Sequence, residues 1–520
     1  MKPAARTAAL LTGAVVVLAA PVVAMRSWSD PADPRIVIGA AAPATLIPGD
    51  VRDPTGRMVA GAVWTGLTAY EPRTGIPVNA AAESIAGDNR RTWTVRLRAG
   101  GRFHDGSPVT ARSFTDAWTA VLRERWHGAR LFTDVARVRG AARAAETGRV
   151  DGLDVEDDRT FRVTLDRPFA GFPSLLADPA FLPMPDGVLR SRDWAAYGRR
   201  PVGNGPLRVL RRSPQEITLT PAEQSAGSER GDRRDIVIKT MPDPARQYAA
   251  ALAGDVDIAT GVPSSRHESM DAQFPRRHLT VPGRTVTYLA FPLWDERYSS
   301  ATLRQALSLA IDRGRITETA LGHQAAPADS LIPPGIVLGR RNSPCRRCVY
   351  DARAAAATLA DAGGPPGPVT LWYPAGTGDE RWVHTLARQF GSDLKLDVRP
   401  KAMPAAGYTA AIAGREVDGP FVLHATADYP SPVATLAALL DAPTGYAGTD
   451  PGDQVDRANR AARPEDGVIP ARLAESSLLR DLPMIPLWSD HDHLVWSERL
   501  SGVTADAFGG LRLDRLTIED

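Results

Sequence analysis

Few residues in this chain are of types that do chemistry, and their spacing narrows what they can do. The two cysteines, Cys345 and Cys348, stand in the run Ser-Pro-Cys-Arg-Arg-Cys-Val-Tyr-Asp. In an exported protein so close a pair closes a small disulfide. A redox-active pair is the second reading, because flanking arginines lower a thiol pKa, but it needs a strand-to-helix start. A structural zinc site needs four ligands, and there is no second cysteine pair. His491 and His493 flank Asp492 just after the apolar run Met484 to Trp488. If that strand continues, both imidazoles share a face that could hold a metal. No third ligand is near, so a solvated strand end is the simpler reading. His104-Asp105-Gly106 offers acid–base groups, yet Asp-Gly favours a turn for backbone reasons. No Gly-x-Ser-x-Gly elbow, phosphate loop, dinucleotide fingerprint or zincin helix occurs, and His267-Glu268 is followed by Ser, Met and Asp. The expectation is no catalytic residue, no metal and no cofactor.

The elements that would position such residues can be read locally. Trp93, Val95 and Leu97 alternate with Thr94 and Arg96, which predicts a half-buried strand. Thr110 caps a helix whose apolar face is Phe114, Ala117, Trp118, Val121 and Leu122. Ile236-Val237-Ile238 reads as a strand, and Asp243-Pro244 opens a helix that Gly254 ends. Val256-Asp257-Ile258 then resumes as strand. A second such unit has a strand at Val369 to Tyr373 and a helix at Glu380 to Phe390 stopped by Gly391. Its closing strand carries Leu394, Leu396 and Val398. Helices are also expected through Leu303, Ala306, Leu307 and Ala310, and from Asp351 to Ala362 before Gly363-Gly364. Strand, helix, strand at this spacing predicts α/β layers.

Composition sets the outer limits. At 520 residues the chain holds about three domains' worth of sequence. Lys+Arg is 62 and Asp+Glu is 60, so no charge excess is available to drive nucleic-acid binding. Lysine occurs only at Lys2, Lys239, Lys395 and Lys401, which with abundant Ala, Gly and Pro marks a GC-rich coding sequence. One segment is strongly apolar: Lys2 and Arg6 precede the run Ala8 to Met25, with Val22-Val23-Ala24 as a small-residue cleavage triplet. The run also reaches the ~17–25 residues that cross a bilayer, so signal peptide and uncleaved anchor both stand. Either one exports the rest of the chain.

The stretch Trp93 to Trp118, WTVRLRAGGRFHDGSPVTARSFTDAW, resembles the peptide/nickel-type solute-binding proteins of ABC importers. Further pieces follow in that family's order: VGNGPLRV from Val202, LRQALSLAID from Leu303, ADSLIPPG from Ala328, Tyr350-Asp351 opening a helix, and LPMIPLW from Leu482. The resemblance covers roughly residues 36 to 515. It implies an α/β, bilobed periplasmic-binding-protein-like fold of the peptide-binding class with an extra inserted domain. Residues 1–25 would be the signal peptide or anchor and 26–35 a linker. Domain I would join 36–66, 201–284 and 488–520. Domain II would be the insertion 67–200, and domain III would span 285–487. Ligand would sit between domains I and III, enclosed by hinge closure.

The resemblance also implies ligand residues. A peptide brings a charged α-amine, and a buried charge needs a partner. Ala427-Asp428-Tyr429-Pro430 matches the core of the family's amine-binding string, so Asp428 is the expected amine contact, against a plain loop cap. Tyr429 and Trp488 flank matched motifs as cleft candidates and are equally plausible as core. Departures are His424-Ala425 in place of Gly-Trp, Ser431 in place of an acid, Pro292 in place of Asn, and no lipobox cysteine. The resulting expectation is an exported, monomeric oligopeptide carrier. Its partners would be an ABC permease and ATPase, and the membrane surface through its N-terminal segment. A membrane-tethered sensor, or a carrier of sugar or a nickel chelate, on the same fold is the alternative.

Overall fold

The computed structural model describes residues 35–71, 74–222, 234–342, 344–364 and 367–519. The expected signal peptide or anchor at 1–25 lies outside the described residues. One large sheet organises the chain, and it has eleven strands among the described residues. These are β1 (Ile36–Ala40), β2 (Leu207–Arg212), β3 (Glu216–Pro221), β4 (Ile236–Thr240), β5 (Ile258–Ala259), β6 (His278–Ala290), β7 (Ala325–Pro327), β8 (Val369–Ala375), β9 (Val398–Pro404), β10 (Phe421–Thr426) and β11 (Met484–Trp496). Their order is β9-β8-β10-β6-β11-β5-β1-β4-β3-β2, with β7 added on β11. The mixed α/β architecture and its two lobes follow from that order.

The first lobe is built round β1, whose sequence IVIGA is nearly all buried. It pairs in parallel with β4 on one side and β5 on the other, the burial expected of a parallel strand covered on both faces. Asp243 accepts from Ala245 N at 2.9 Å and starts the helix Pro244–Ala253, which Gly254 closes at φ +81°. The expected strand Val256 to Ile258 starts later than read, at Ile258, although Asp257 N still donates to the Val37 carbonyl of β1 at 2.7 Å. The Asp257 carboxylate accepts from Val37 N at 2.8 Å and takes Arg499 through both oxygens, at 2.5 and 2.7 Å. A buried carboxylate held this way is satisfied, and it ties the chain's end to its first strand.

The second lobe has β8, β9 and β10 with helices on both faces. The helix Glu380–Leu394 runs past Gly391 to Lys395, which adopts the left-handed conformation. Val383, Leu386, Ala387, Phe390 and Leu394 form one buried stripe. Burying one more leucine outweighs the ~1 kcal/mol cost of an interior glycine. Leu394 is therefore helical, Leu396 lies in the connection, and the strand begins at Val398. Asp351 caps Ala352–Asp361, and Gly363 and Gly364 both take positive φ after it. The Sγ atoms of Cys345 and Cys348 are bonded at 1.96 Å beside the buried Leu331 and Val286.

Between β1 and β2 in sequence, a four-stranded sheet forms from Ala82–Asp88, Thr92–Leu97, Leu153–Val155 and Thr160–Thr164. The helix Ala111–Arg123 packs on it through Phe114 and Trp118. Thr110 caps that helix in a capping box with Ser113.

Candidate functional site

Among the described residues, β6 and β11 are the strands that run through both lobes. Residues His278–Pro282 of β6 pair with β11 beside the first lobe, and Val286–Ala290 pair with both β11 and β10 in the second. The register breaks between Pro282 and Val286. Gly283 sits in that break, where a Cβ would lie 2.5 Å from the Asp490 carbonyl oxygen. A glycine is required there because the two crossing strands come that close.

Next to the crossing, β10 presents a free edge. It pairs with β6 from Phe421 to Thr426, but β8 meets it only at Phe421. On that side the Val422 carbonyl accepts from the Tyr408 hydroxyl at 3.1 Å. Leu423 to Thr426 therefore have no second strand, and His424 and Thr426 are exposed. Unpaired main-chain groups on a short, stiff strand are what an extended peptide can add to.

Asp428 follows two residues after this edge. Its carboxylate is paired with the Arg130 guanidinium, from the segment after the helix Ala111–Arg123. The Asp428 side chain is 21% exposed and that of Arg130 50%. Hydrogen bonding to Asp428 raises the Arg130 pKa above its ordinary value, against a smaller opposing effect of burial. A second pair lies alongside: Arg57 Nη1 meets Asp178 Oδ2 at 3.0 Å, and Asp178 also accepts from Ala180 N at 2.9 Å. The two pairs line a hollow of about 30 Å³. Arg284 completes the group by donating to the Ala427 carbonyl. Burial, then the nearby Arg57, lowers the Arg284 pKa. Arg57 and Arg284 lie over the Phe508 ring at 5.7 and 4.9 Å, and Tyr70 meets that ring edge-on at 5.6 Å. On either side of the Asp506–Phe508 segment open two larger cavities of about 300 and 310 Å³, the first bounded by Arg57, Tyr70 and Phe508, the second by Pro282 and Pro430. Together they are of the size that small ligands occupy.

His424, where the family pattern has glycine, is held by Asp379. Its Nε2 lies 3.0 Å from Asp379 Oδ2 and its Nδ1 3.0 Å from Thr287 Oγ1. Burial would lower its pKa, but the hydrogen bond and charge of Asp379 outweigh that and leave it raised.

The other anticipated residues fall elsewhere. Tyr429 is 2% exposed and packs edge-on to Phe169. Trp488 is 2% exposed and packs edge-on to Trp382 in the second lobe's core. Both pack in the core, while Asp428 is partly exposed. His104 is held by backbone: its ring nitrogens meet the Gly205 carbonyl at 3.0 Å and Gly203 N at 3.3 Å. β11 does continue through His491 and His493, whose rings are 4.7 Å apart, and His267 stands 4.2 Å from His493. Both His267 nitrogens and His491 Nε2 face carbonyl oxygens, however. Among the described residues no group of three His, Cys, Asp or Glu is arranged to hold a metal. Sequence reading missed Arg130, Arg57, Arg284 and Phe508. In a chain this rich in arginine, no local pattern distinguishes these three.

Comparisons with known proteins bear on the family and the fold. The model of bacterial extracellular solute-binding proteins, family 5 middle, matches residues 77–446. The periplasmic murein peptide-binding protein MppA of Escherichia coli (strain K12) is 25% identical over 453 residues, 82% of each chain. The glutathione-binding protein GsiB of Salmonella choleraesuis (strain SC-B67) is 23% identical over 71% of this chain and 70% of its own. The solved structure of MppA in its unliganded open form superposes with a TM-score of 0.82 at 21% identity, covering 93% of this chain and 96% of that one.

Proposed function

Because the chain belongs to the bacterial extracellular solute-binding proteins of family 5, we propose that it captures oligopeptides between its two lobes outside the cytoplasm and delivers them to the permease of an ABC importer. The observation that carries this is the free edge of β10 running into Asp428. The edge offers amides and carbonyls to a peptide main chain, and Asp428 offers a carboxylate to its ammonium. The neighbouring cavities leave room for side chains. That division, main chain for affinity and roomy pockets for tolerance, is the logic of strand addition. The two relatives above are named for murein peptide and for glutathione, both short peptides, which supports the same class of ligand.

In this reading 36–66, 201–284 and 490–520 form one lobe and 285–489 the other, two residues later than the sequence suggested because Trp488 packs on Trp382, and 67–200 is an insertion that supplies Arg130. The protein does no covalent chemistry: it binds, closes about the break at Pro282–Val286, and releases. Calorimetric titration of the purified chain with di- to pentapeptides, maltooligosaccharides and nickel tests it. Saturable binding of peptides alone is expected. Binding of sugar or nickel with none of peptide would reassign the site.

A further inference from the structure

The pairing of Arg130 with Asp428 has a consequence for which peptides bind, and it rests on the peptide reading above. We propose that Arg130 is a specificity-determining residue. It holds Asp428 while the site is empty and passes to a ligand carboxylate when the ligand ammonium takes Asp428. The site thereby selects peptides whose first residue carries a carboxylate beside its free ammonium.

The two side chains come from positions 298 residues apart, on the inserted unit and on the second lobe. Asp428 is mostly shielded, so its charge needs a partner at all times. An entering ammonium can supply that partner only by displacing Arg130. The guanidinium then needs a new anion, and its surroundings offer little. Asp178 faces it, but that carboxylate is already committed to Arg57 and to the Ala180 amide. Asp134 also faces it but is exposed and solvated. Arg57 and Arg284 add two further cations within reach of the same Asp178. Three guanidiniums thus gather here, with Asp506 also facing Arg284. The two carboxylates that hold them in ion pairs, Asp178 and Asp428, would be taken by Arg57 and by the ligand ammonium, which leaves Arg130 open to a ligand anion. The hollow of about 30 Å³ between the two pairs is the place for it, with room for a group about the size of a water molecule or a carboxylate oxygen.

A ligand that brings only an ammonium exchanges one ion pair for another. A ligand that brings both charges opens one pair and makes two. For partly exposed partners the extra pair is worth about 5-fold in affinity.

The test is titration of the full chain and of Arg130→Met with Glu-Ala-Ala, Gln-Ala-Ala and Ala-Ala-Ala. Arg130 is half-exposed, and thermal unfolding of the variant checks that its loss leaves the fold intact. The wild-type protein is expected to bind Glu-Ala-Ala about 5-fold more tightly than Gln-Ala-Ala. In Arg130→Met the two peptides should bind alike, while Ala-Ala-Ala binds at least as well as before because its competitor for Asp428 is gone. Equal binding of the Glu and Gln peptides by the wild type would overturn the role given to Arg130 and leave the peptide reading standing. So would a preference that survives in Arg130→Met. Failure of all three peptides to bind either protein would overturn the peptide reading itself, and this inference with it.

Discussion

At the scale of single residues, the account turns on Asp428. Its carboxylate is shielded, already charge-paired, and set at the end of an unpaired strand edge. Replacing it with asparagine keeps the shape and removes the charge. A hydrogen bond to a charged group is worth about 1.5–3 kcal/mol, so Asp428→Asn should weaken binding of a free-amine peptide in titration calorimetry, by less than the roughly 10- to 100-fold that contact alone represents, because binding also breaks the Arg130 pair. N-acetylating the peptide removes the other half of the same contact. The two changes together should therefore cost little more than either alone. Full additivity would mean that the amine is held elsewhere. Asp428 could be singled out as a candidate from sequence because it sits in a short motif, Ala427 to Pro430. Arg130 was not, because its role exists only once two distant segments meet. Tyr429 and Trp488 stand beside matched motifs, yet what their rings do is packing, against Phe169 and Trp382.

At the scale of elements, the crossing strands carry both the register break and a cluster of histidines. His491 and His493 on β11, Thr280 on β6 and His267 on the helix His267–Gln273 meet there, and His278 is also near. Burial, then the charges of His267 and His491, pushes His493 down to about 4. Its Nδ1 lies 3.0 Å from Thr280 Oγ1, and its Nε2 is buried with no partner. Between an ordinary histidine pKa of about 6.5 and that value, the unfolded chain binds a proton that the folded chain refuses. Stability from this group is therefore fully present above about pH 6.5 and is lost as pH falls towards 4. His493→Gln keeps a polar group facing Thr280 and does not titrate. Its unfolding midpoint should fall less steeply than the wild type's between pH 6.5 and 4.5. Parallel slopes would remove His493 as the cause. Most elements were legible from caps and punctuation: Thr110, Asp243 and Asp351 each start a helix where their side chains predict. The misreadings were at Gly391 and at Val256-Asp257. At Gly391 tertiary burial overrode a local signal that was itself correct; at Val256-Asp257 the strand starts two residues late, at Ile258.

At the scale of the whole molecule, two lobes share one sheet and are joined across β6 and β11. The chain leaves the first lobe, builds the inserted sheet, returns, and crosses once each way, and in the proposed capture the lobes would turn about the break at Pro282–Val286. The order of those pieces was legible from the family strings. The contacts that bridge them were not, since local patterns do not encode partners far apart in sequence. Arg90 on the inserted sheet donates to the Ala461 carbonyl at 3.0 Å, and Ala170 N to the Asn459 carbonyl at 2.8 Å. These contacts and the Arg130–Asp428 pair set how the empty cleft stands. Capture between lobes demands that ligand change the shape of the protein, and only a ligand that engages Asp428 should do so. Small-angle X-ray scattering of the purified chain, alone and with saturating Ala-Ala-Ala or its N-acetylated form, reads this directly. The radius of gyration should fall with the free peptide and stay unchanged with the acetylated one. An unchanged radius with a free peptide that calorimetry shows to be bound would contradict capture by closure.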